Sequence, residues 1–267
     1  MKTGHIITLL TDFGLSDPYV GMMKGVIAGI APEVPVIDLT HQVQPQNIQE
    51  ACFLLQNSYR HFPTGTIFVC VVDPGVGTER LPVLVKSSEH FFVGPDNGLF
   101  GFLNTDPSKI IRELKNERFF RTPVSHTFHG RDIFAPVAAH LAAEGETILS
   151  ELGPVRSDLV DIAGRLPDIT GDAVKGKIVH IDRFGNLITN IHEKPLSELS
   201  FENDKGIIRF REFSLPLVST FSEAPEATPC ALIGSSAHLE IFIKNGNAEK
   251  TLNAQTGETV YVYKHHG

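Results

Sequence analysis

The run Thr66-Ile-Phe-Val-Cys-Val-Val72 decides the fold class, because it is the most apolar strand-like stretch of the chain. It is bounded by Gly65 and by the turn Asp73-Pro-Gly75, so it predicts a buried strand that ends beside a carboxylate. The elements predicted before it are a strand at Ile6 to Leu10, a helix at Tyr19 to Ile30, a strand at Val36 to Leu39 and a helix at Gln46 to Phe62. Strands that alternate with helices indicate an α/β domain with a mostly parallel, Rossmann-like sheet.

The rest of the first domain continues this pattern. Asp17-Pro18 predicts a helix that Asp17 caps and in which Pro18 is the first residue. Leu81 to Lys86 and His90 to Gly94 are expected to form a strand pair, and Asp132 to Ala143 a helix.

The composition changes after about Gly164. Pro, Gly and Asp without periodicity predict a linker at residues 166–172, between an N-terminal domain at 1–165 and a C-terminal domain at 173–267. The second domain is expected to be smaller, all-β and barrel-like. Its predicted strands are Lys175 to Ile181, Gly206 to Phe210, Cys230 to Gly234, Leu239 to Ile243 and Thr259 to Tyr263.

Charge and composition exclude several classes of protein. The chain has 267 residues, with 23 Lys and Arg against 31 Asp and Glu, a net charge of −8 that disfavours nucleic-acid binding. Its apolar runs are too short to cross a membrane, and no secretory signal is recognisable, so we expect a cytoplasmic protein. The three widely spaced cysteines are expected to be buried and unpaired.

Four groups of polar residues are candidates for a ligand site, since ligands of parallel α/β sheets bind at the carboxyl ends of strands. Each group also has an ordinary structural interpretation: a helix cap, a rigid ion pair, a structural histidine or a hairpin turn. The groups are Thr11-Asp-Phe-Gly14 with Asp17, Asp73 to Arg80, His126 to Asp132, and Asp182-Arg-Phe-Gly-Asn186; Ser235 and Ser236 follow a further strand.

Several familiar motifs are absent from the sequence. It contains no GxGxxG, no GxxxxGK[ST], no HExxH and no GxSxG. We therefore expect neither a pyrophosphate cradle, nor a metal site, nor a serine-hydrolase elbow.

Taken in order, the four groups resemble the S-adenosyl-L-methionine (SAM) hydroxide adenosyltransferase family, which is related to the SAM-dependent fluorinase and chlorinase. The segments that carry the resemblance are Thr11-Asp-Phe-Gly14 with Asp17 and Tyr19-Val-Gly21, Val72-Asp-Pro-Gly-Val-Gly-Thr-Glu-Arg80, His129-Gly-Arg-Asp132 and Asp182-Arg-Phe-Gly-Asn186. The resemblance implies hydrolysis of SAM to adenosine and methionine by attack of water or hydroxide on the ribose C5′. It also implies a homotrimer, no cofactor, and a ligand held between the α/β domain of one subunit and the β domain of the next.

The resemblance also assigns roles to residues. Asp73, Arg80 and His129 match the catalytic set: Asp73 and His129 would hold the water, and either could accept its proton. Asp12 matches the acceptor of the ribose hydroxyls, Asp17 and Asp182 match residues near the methionine amino group, and Asn186 matches an adenine contact. Ser235 and Ser236 align with contacts to the methionine carboxylate, although the halogenases have arginine where this chain has Ser236.

Two other functions remain open at this stage. One is a SAM-dependent halogenase, which the presence of Asp73 and His129 disfavours, since the halogenating relatives differ at those positions. The other is a module that binds SAM or adenosine without turnover, in which Asp73 and Arg80 form only a structural pair.

Overall fold

The chain divides into two compact units, residues 1–162 and residues 163–267. A computed structural model describes residues 5–162, 165–198 and 206–264. The predicted boundaries, 1–165 and 173–267, stay a prediction. Residues 168–170, inside the predicted linker, form a short strand.

The first unit is an α/β unit built on one mixed sheet. Its elements are β1 (Ile7–Thr11), α1 (Tyr19–Ile30), β2 (Val36–Thr40), α2 (Ile48–Ser58), β3 (Ile67–Val71), β4 (Pro82–Lys86), β5 (Phe91–Pro95), β6 (Ile110–Glu113), α3 (Ala135–Glu144) and β7 (Val155–Arg156). The strand order is β2-β1-β3-β5-β4-β6-β7. Strands β2, β1, β3 and β5 are parallel, and antiparallel pairing extends the sheet through β4, β6 and β7. The mostly parallel sheet and the β4-β5 pair are thus confirmed.

Burial on both faces explains why β3 is apolar at every position. Alternate side chains of β3 enter two different cores: Val69 and Val71 pack in a cluster with residues of α1 and α3, and Phe68 and Cys70 pack in a cluster with residues of α2. The central strand is therefore fixed by helices on both sides, and the loop that follows it starts from a rigid base.

Two of the predicted helix starts are wrong. Pro18 occupies the cap position of α1, where its carbonyl accepts from the Met22 N–H, and Asp17 makes no capping bond. Helix α2 begins at Ile48 rather than Gln46, because the Asn47 side chain caps it by accepting from the Glu50 N–H.

The second unit is a nearly closed antiparallel barrel. Its elements are β8 (Asp168–Thr170), β9 (Ala173–Ile181), β10 (Leu187–His192), α4 (Glu193–Glu198), β11 (Gly206–Phe210), β12 (Phe213–Leu215), β13 (Pro229–Ile233), β14 (His238–Ile243), α5 (Ala248–Leu252) and β15 (Thr259–Lys264). The strand order is β12-β11-β15-β9-β10-β14-β13, with β8 on β9. A bridge between Leu217 and Ala231 brings the two ends of the sheet together.

The barrel-like prediction is therefore confirmed, but the all-β prediction needs correction because α4 and α5 belong to this unit. The cysteines Cys52, Cys70 and Cys230 are free and buried, as expected. Every helix in the described residues is too short or too polar to cross a lipid bilayer.

Candidate active site

A cavity of about 430 Å³ opens in the first unit at the carboxyl ends of β1 and β3. The chain runs from β1 to β2 on one side of β1 and then returns to β3 on the other, so its direction switches between these two strands. Such a switch point leaves a crevice that binds ligands in open α/β sheets. Asp12 directly follows β1 and Asp73 follows β3 by two residues, and both line the cavity together with His129.

Asp73, Arg80 and His129 form one connected group. The Arg80 Nε lies 3.0 Å from both carboxylate oxygens of Asp73, and Nη2 donates to Oδ2 at 2.5 Å. The same Nη2 lies 2.6 Å from Nδ1 of His129. The side chains of Asp73 and Arg80 are only 4% and 9% exposed, so the pair is well shielded from solvent. Arg80 does not itself line the cavity; it holds the two side chains that do.

The contact with Arg80 determines the protonation state of His129. A guanidinium has only donors, so Nδ1 of His129 must accept, and the ring proton of the neutral imidazole then sits on Nε2. Burial and the positive charge of Arg80 both lower the pKa of His129, more than Asp73 and Asp132 raise it. His129 is therefore neutral near pH 7, with Nε2 as a hydrogen-bond donor.

The loop between Asp73 and Arg80 requires glycine at position 77. Gly77 has φ +77°, and a Cβ atom there would lie 2.5 Å from the backbone carbonyl oxygen of His126. Within the same loop the Thr78 hydroxyl donates to the Gly75 carbonyl at 2.6 Å. The tight turn returns the chain so that Arg80 reaches Asp73.

His129 directly precedes a π-helical turn, Gly130–Phe134, which continues into α3. Asp132 in this turn is fully buried and accepts from Nε and Nη2 of Arg131 at 2.7 and 2.8 Å, and from the Ser125 N–H at 2.9 Å. Asp132 thus pairs with Arg131. This pairing fixes the backbone that presents His129. His126, in contrast, is exposed.

Asp12 is held by a residue that the sequence analysis missed. Its Oδ2 accepts from the backbone N–H of Gln46 at 2.8 Å, and Gln46 lies in the left-handed region at φ +66° and lines the cavity. A non-glycine residue in this conformation is uncommon and frequently marks a functional site. No local sequence pattern could have shown it, because Gln46 precedes an ordinary Asn47 cap.

A row of three polar side chains, buried at Thr11 and His41 and exposed at Asp38, fixes the residue before Asp12. The Thr11 hydroxyl lies 2.8 Å from Nδ1 of His41, and Nε2 of His41 lies 3.0 Å from Oδ1 of Asp38. Burial tends to raise the pKa of Asp38, but the hydrogen bond from Lys24 and the contact with His41 lower it. The carbonyl of His41 also accepts from the Gly14 N–H at 2.8 Å, so this row holds the segment from Thr11 to Gly14 at both ends.

Three aromatic rings, Phe13, Tyr19 and Phe128, form one wall of the cavity. Their centroids are 5.3 to 5.8 Å apart in tilted or edge-to-face arrangements. The sequence analysis did not assign them a role. Asp17, which it did assign to the ligand, is exposed and does not line the cavity.

The other predicted ligand residues lie in the second unit. Asp182 organises its own turn: Oδ1 accepts from the N–H groups of Phe184 and Asn186, and Oδ2 accepts from Nδ2 of Asn186, each at 2.9 Å. The turn leaves Phe184 75% exposed. Ser235 is exposed, whereas the Oγ atom of Ser236 is buried and has no hydrogen-bond partner.

Within the described residues, no group of three or more His, Cys, Asp or Glu side chains is arranged to hold a metal ion. The site in the first unit instead has two parts. One is the group of Asp73, Arg80 and His129, which offers a carboxylate and a neutral imidazole donor; the other is the part of the cavity that is lined by the three aromatic rings and by the Asp12 carboxylate. This arrangement can orient a water molecule against a ligand that carries hydroxyl groups and an aromatic base.

Comparison with known proteins gives a consistent result over both units. The sequence profile of the SAM hydroxide adenosyltransferase N-terminal domain matches residues 7–153, and that of the C-terminal domain matches residues 176–261. The (R)-S-adenosyl-L-methionine hydrolase of Thermus thermophilus is 36% identical over 266 residues, covering 95% of this chain and 98% of the relative. The protein of the same name from Methanocaldococcus jannaschii is 34% identical, covering 93% and 92%.

Halogenating enzymes are more distant, and a solved structure shares the whole fold. The fluorinase of an Actinoplanes species is 28% identical over 97% of each chain. A crystal structure of an uncharacterized conserved protein from Thermotoga maritima superposes with a TM-score of 0.89 at 34% identity, covering 97% of this chain and all of the other. The chain therefore belongs to the SAM hydroxide adenosyltransferase family.

Proposed function

We propose that the protein hydrolyses S-adenosyl-L-methionine to adenosine and L-methionine, by attack of water on the ribose C5′. The observation that carries this proposal is the Asp73, Arg80 and His129 group at the carboxyl end of β3, in a chain whose relatives are named for this hydrolysis. Those relatives are named for the (R) epimer, so the two sulfonium epimers are to be tested separately.

The chemistry places modest demands on the protein. The sulfonium is an activated leaving group: the C5′–S bond breaks with its electron pair going to sulfur, and the water oxygen forms the new C5′–O bond. The overall change is SAM⁺ plus water to adenosine, methionine and one proton. Catalysis then depends on holding the water in line with the C5′–S bond and on accepting the proton that it loses.

The hydrogen bonds divide these tasks. Both nitrogens of neutral His129 are committed, Nδ1 as an acceptor from Arg80 and Nε2 as a donor, so His129 orients the water by donating to its oxygen. Asp73 keeps carboxylate lone pairs beyond those that Arg80 occupies, and it faces the cavity. Asp73 therefore accepts the water proton, and Arg80 acts as a positioning residue that fixes the geometry of both.

The rest of the cavity suits the nucleoside. The Asp12 carboxylate, fixed by the Gln46 N–H, is placed to accept from the vicinal hydroxyls of ribose. The wall of Phe13, Tyr19 and Phe128 supplies apolar contact. The parallel half of the first sheet, which we propose is Rossmann-like, places Asp12 and Asp73 at neighbouring strand ends.

A product analysis tests the proposal. Purified protein is incubated separately with (R)- and (S)-epimers of SAM in H₂¹⁸O, in chloride and in fluoride buffer, and products are identified by mass spectrometry. Adenosine labelled with ¹⁸O at O5′, together with methionine, supports the hydrolase. Halogenated deoxyadenosine would support the halogenase, and unchanged substrate that is nevertheless bound would support the binding module.

Four further expectations stay proposals. We propose a homotrimer, to be checked by light scattering on the eluting protein, and a cytoplasmic location. We propose a reaction without a cofactor, because the sulfonium already supplies the activated leaving group. We also keep 1–165 and 173–267 as the domain boundaries.

A further inference from the structure

The side chain of Asn97, two residues after β5, holds the carbonyl group that directly precedes Asp73. Its Nδ2 atom donates to the carbonyl oxygen of Val72 at 2.9 Å. Val72 is fully buried and lies one residue beyond β3, whose pairing ends at Val71 with β1 and at Val69 with β5. A buried carbonyl needs a hydrogen-bond partner, and the Asn97 side chain supplies one beyond the last paired residue of the strand.

The residue before Asn97 holds the other end of the loop that runs from Asp73 to Arg80. The backbone N–H of Asp96 donates to the carbonyl of Leu81, the residue after Arg80, at 2.8 Å. The loop therefore leaves and returns beside two consecutive residues, Asp96 and Asn97.

Asn97 itself stands on a rigid base. Its Oδ1 atom accepts from the N–H of the fully buried Leu99 at 3.3 Å. Near its carboxyl end, β5 lies so close to β3 that a Cβ atom on Gly94 would be 2.3 Å from the carbonyl oxygen of Cys70. The two strand ends have little freedom to move against each other, and the Asn97 side chain extends this contact to Val72.

Resting on the proposed function, we propose that Asn97 is a positioning residue for Asp73. The carbonyl of Val72 and the N–H of Asp73 belong to one planar peptide unit, so fixing that carbonyl fixes the plane from which the Asp73 side chain extends. Asn97 does not line the cavity, so it acts on the attacking water through Asp73 and makes no contact with the ligand.

Asparagine suits this place because its amide has a donor and an acceptor on one side chain. The Val72 carbonyl only accepts and the Leu99 N–H only donates, so both ends of the Asn97 amide are used. Aspartate has nearly the same shape but no donor when ionised. Asn97→Asp therefore sets a carboxylate oxygen against the Val72 carbonyl, and their repulsion is expected to move the peptide unit that carries Asp73.

The matched control is Asn116→Asp, in the same unit. Asn116 makes the same pattern of bonds as Asn97: its Nδ2 donates to the Glu151 carbonyl at 3.0 Å, and its Oδ1 accepts from the N–H of Arg118, two residues on, at 3.1 Å. Both variants lose the same kind of bond from the fold, but only Asn97→Asp loses one next to Asp73. Denaturant unfolding of both variants shows what each change costs the fold.

The full-length variants are assayed for adenosine formation from SAM at saturating substrate and for adenosine affinity by calorimetry. Asn97→Asp is expected to lower kcat by about 10- to 100-fold, since a misplacement of about 1 Å costs up to about 100-fold in rate. Its adenosine affinity is expected to stay within about threefold of the wild type, because Asp12 is held separately by Gln46. Asn116→Asp is expected to keep both values.

The outcomes separate this proposal from the proposed function. If the wild type hydrolyses SAM and folded Asn97→Asp keeps kcat within about threefold, the role of Asn97 is refuted and the hydrolase stands. A loss of adenosine affinity as large as the loss of kcat would also refute it, since the change would then disturb the whole site.

Crystal structures of the wild type and Asn97→Asp give a readout that needs no turnover. If the wild type does not hydrolyse SAM, the proposed function fails, but an Asp73 carboxylate displaced from Arg80 in the variant still supports the role of Asn97. An unchanged contact between Asp73 and Arg80 refutes that role. Asn97→Ala, which removes the donor without adding a charge, is made in parallel and replaces Asn97→Asp in each comparison if the latter does not fold.

Discussion

Replacing Asp73 by asparagine removes the proton acceptor and keeps the shape of the side chain. A positioned general base contributes about 10²- to 10⁴-fold to a reaction rate, which corresponds to about 3–5 kcal/mol of transition-state stabilisation. Asp73 is the described cavity-lining side chain that combines open acceptor lone pairs with a hydrogen bond to Arg80, so we expect kcat to fall by that factor.

The same change also weakens the pairing with Arg80. The amide oxygen can still accept from the guanidinium, but the charge that balances the 9%-exposed Arg80 is lost. We expect the free energy of unfolding to fall by about 1–3 kcal/mol, the usual cost of weakening a buried hydrogen bond to a charged group. Denaturant unfolding measures this loss, and a calorimetric titration with adenosine shows whether the site remains intact.

The assay follows adenosine formation from SAM at saturating substrate and compares Asp73→Asn with Asp106→Asn. Asp106 is a half-buried aspartate of the same unit that bonds to Ser108 and does not line the cavity, so its variant controls for an Asp-to-Asn change outside the site. The proton-acceptor role is refuted if folded Asp73→Asn binds adenosine normally and keeps kcat within about threefold of the wild type.

Three other predictions follow from the site. Asp12→Asn is expected to weaken adenosine binding by about 10- to 100-fold in calorimetry, since it removes the charge from an acceptor of ribose hydroxyls; unchanged binding would move the ribose elsewhere. Because the pKa of His129 is lowered, its neutral form persists below pH 6.5. The decrease of kcat/KM at acid pH that comes from protonation of His129 should therefore be centred below pH 6.5. A decrease centred above pH 6.5 that disappears in His129→Gln would contradict this. Gly77→Ala should lower the free energy of unfolding by about 1–3 kcal/mol and lower kcat as well, because the new Cβ meets the His126 carbonyl and displaces the loop that carries Arg80; wild-type values of both would refute the requirement for glycine.

Strong periodicity allowed much of the fold to be predicted from the sequence. The β3 prediction agrees with the structure to within one residue at each end, because burial on both faces demands apolar side chains throughout. Strand β10 was missed because the polar residue Asn190 interrupts the apolar pattern of Leu187–His192. Asn190 is nevertheless buried, and its side-chain oxygen accepts from the Lys177 N–H of β9, a contact that the sequence does not show. The cap of α1 was mistaken because Asp17-Pro18 fits two starts of the helix that differ by one residue.

Some residues of the site could likewise be predicted from the sequence and others could not. Asp12, Asp73 and His129 could be proposed from the sequence because each stands where an element ends or begins, and strand ends are brought together by parallel topology. Gln46 could not, because its place in the site depends on a left-handed backbone angle, which only coordinates reveal. Asp17 fitted the pattern of its neighbours but is exposed and does not line the cavity.

The arrangement of the Asp73, Arg80 and His129 group fits a reaction whose difficulty is orientation rather than bond activation. A single guanidinium nitrogen, Nη2 of Arg80, contacts both the carboxylate and the imidazole, so the distance between the proton acceptor and the water-orienting donor is fixed by one side chain. The sulfonium makes the leaving group reactive without help, and a weak base such as a paired carboxylate is then sufficient. What the protein must prevent is movement of the water away from the line of the C5′–S bond, and the buried contacts of Asp132 behind His129 and the glycine turn behind Arg80 restrict that movement from both sides.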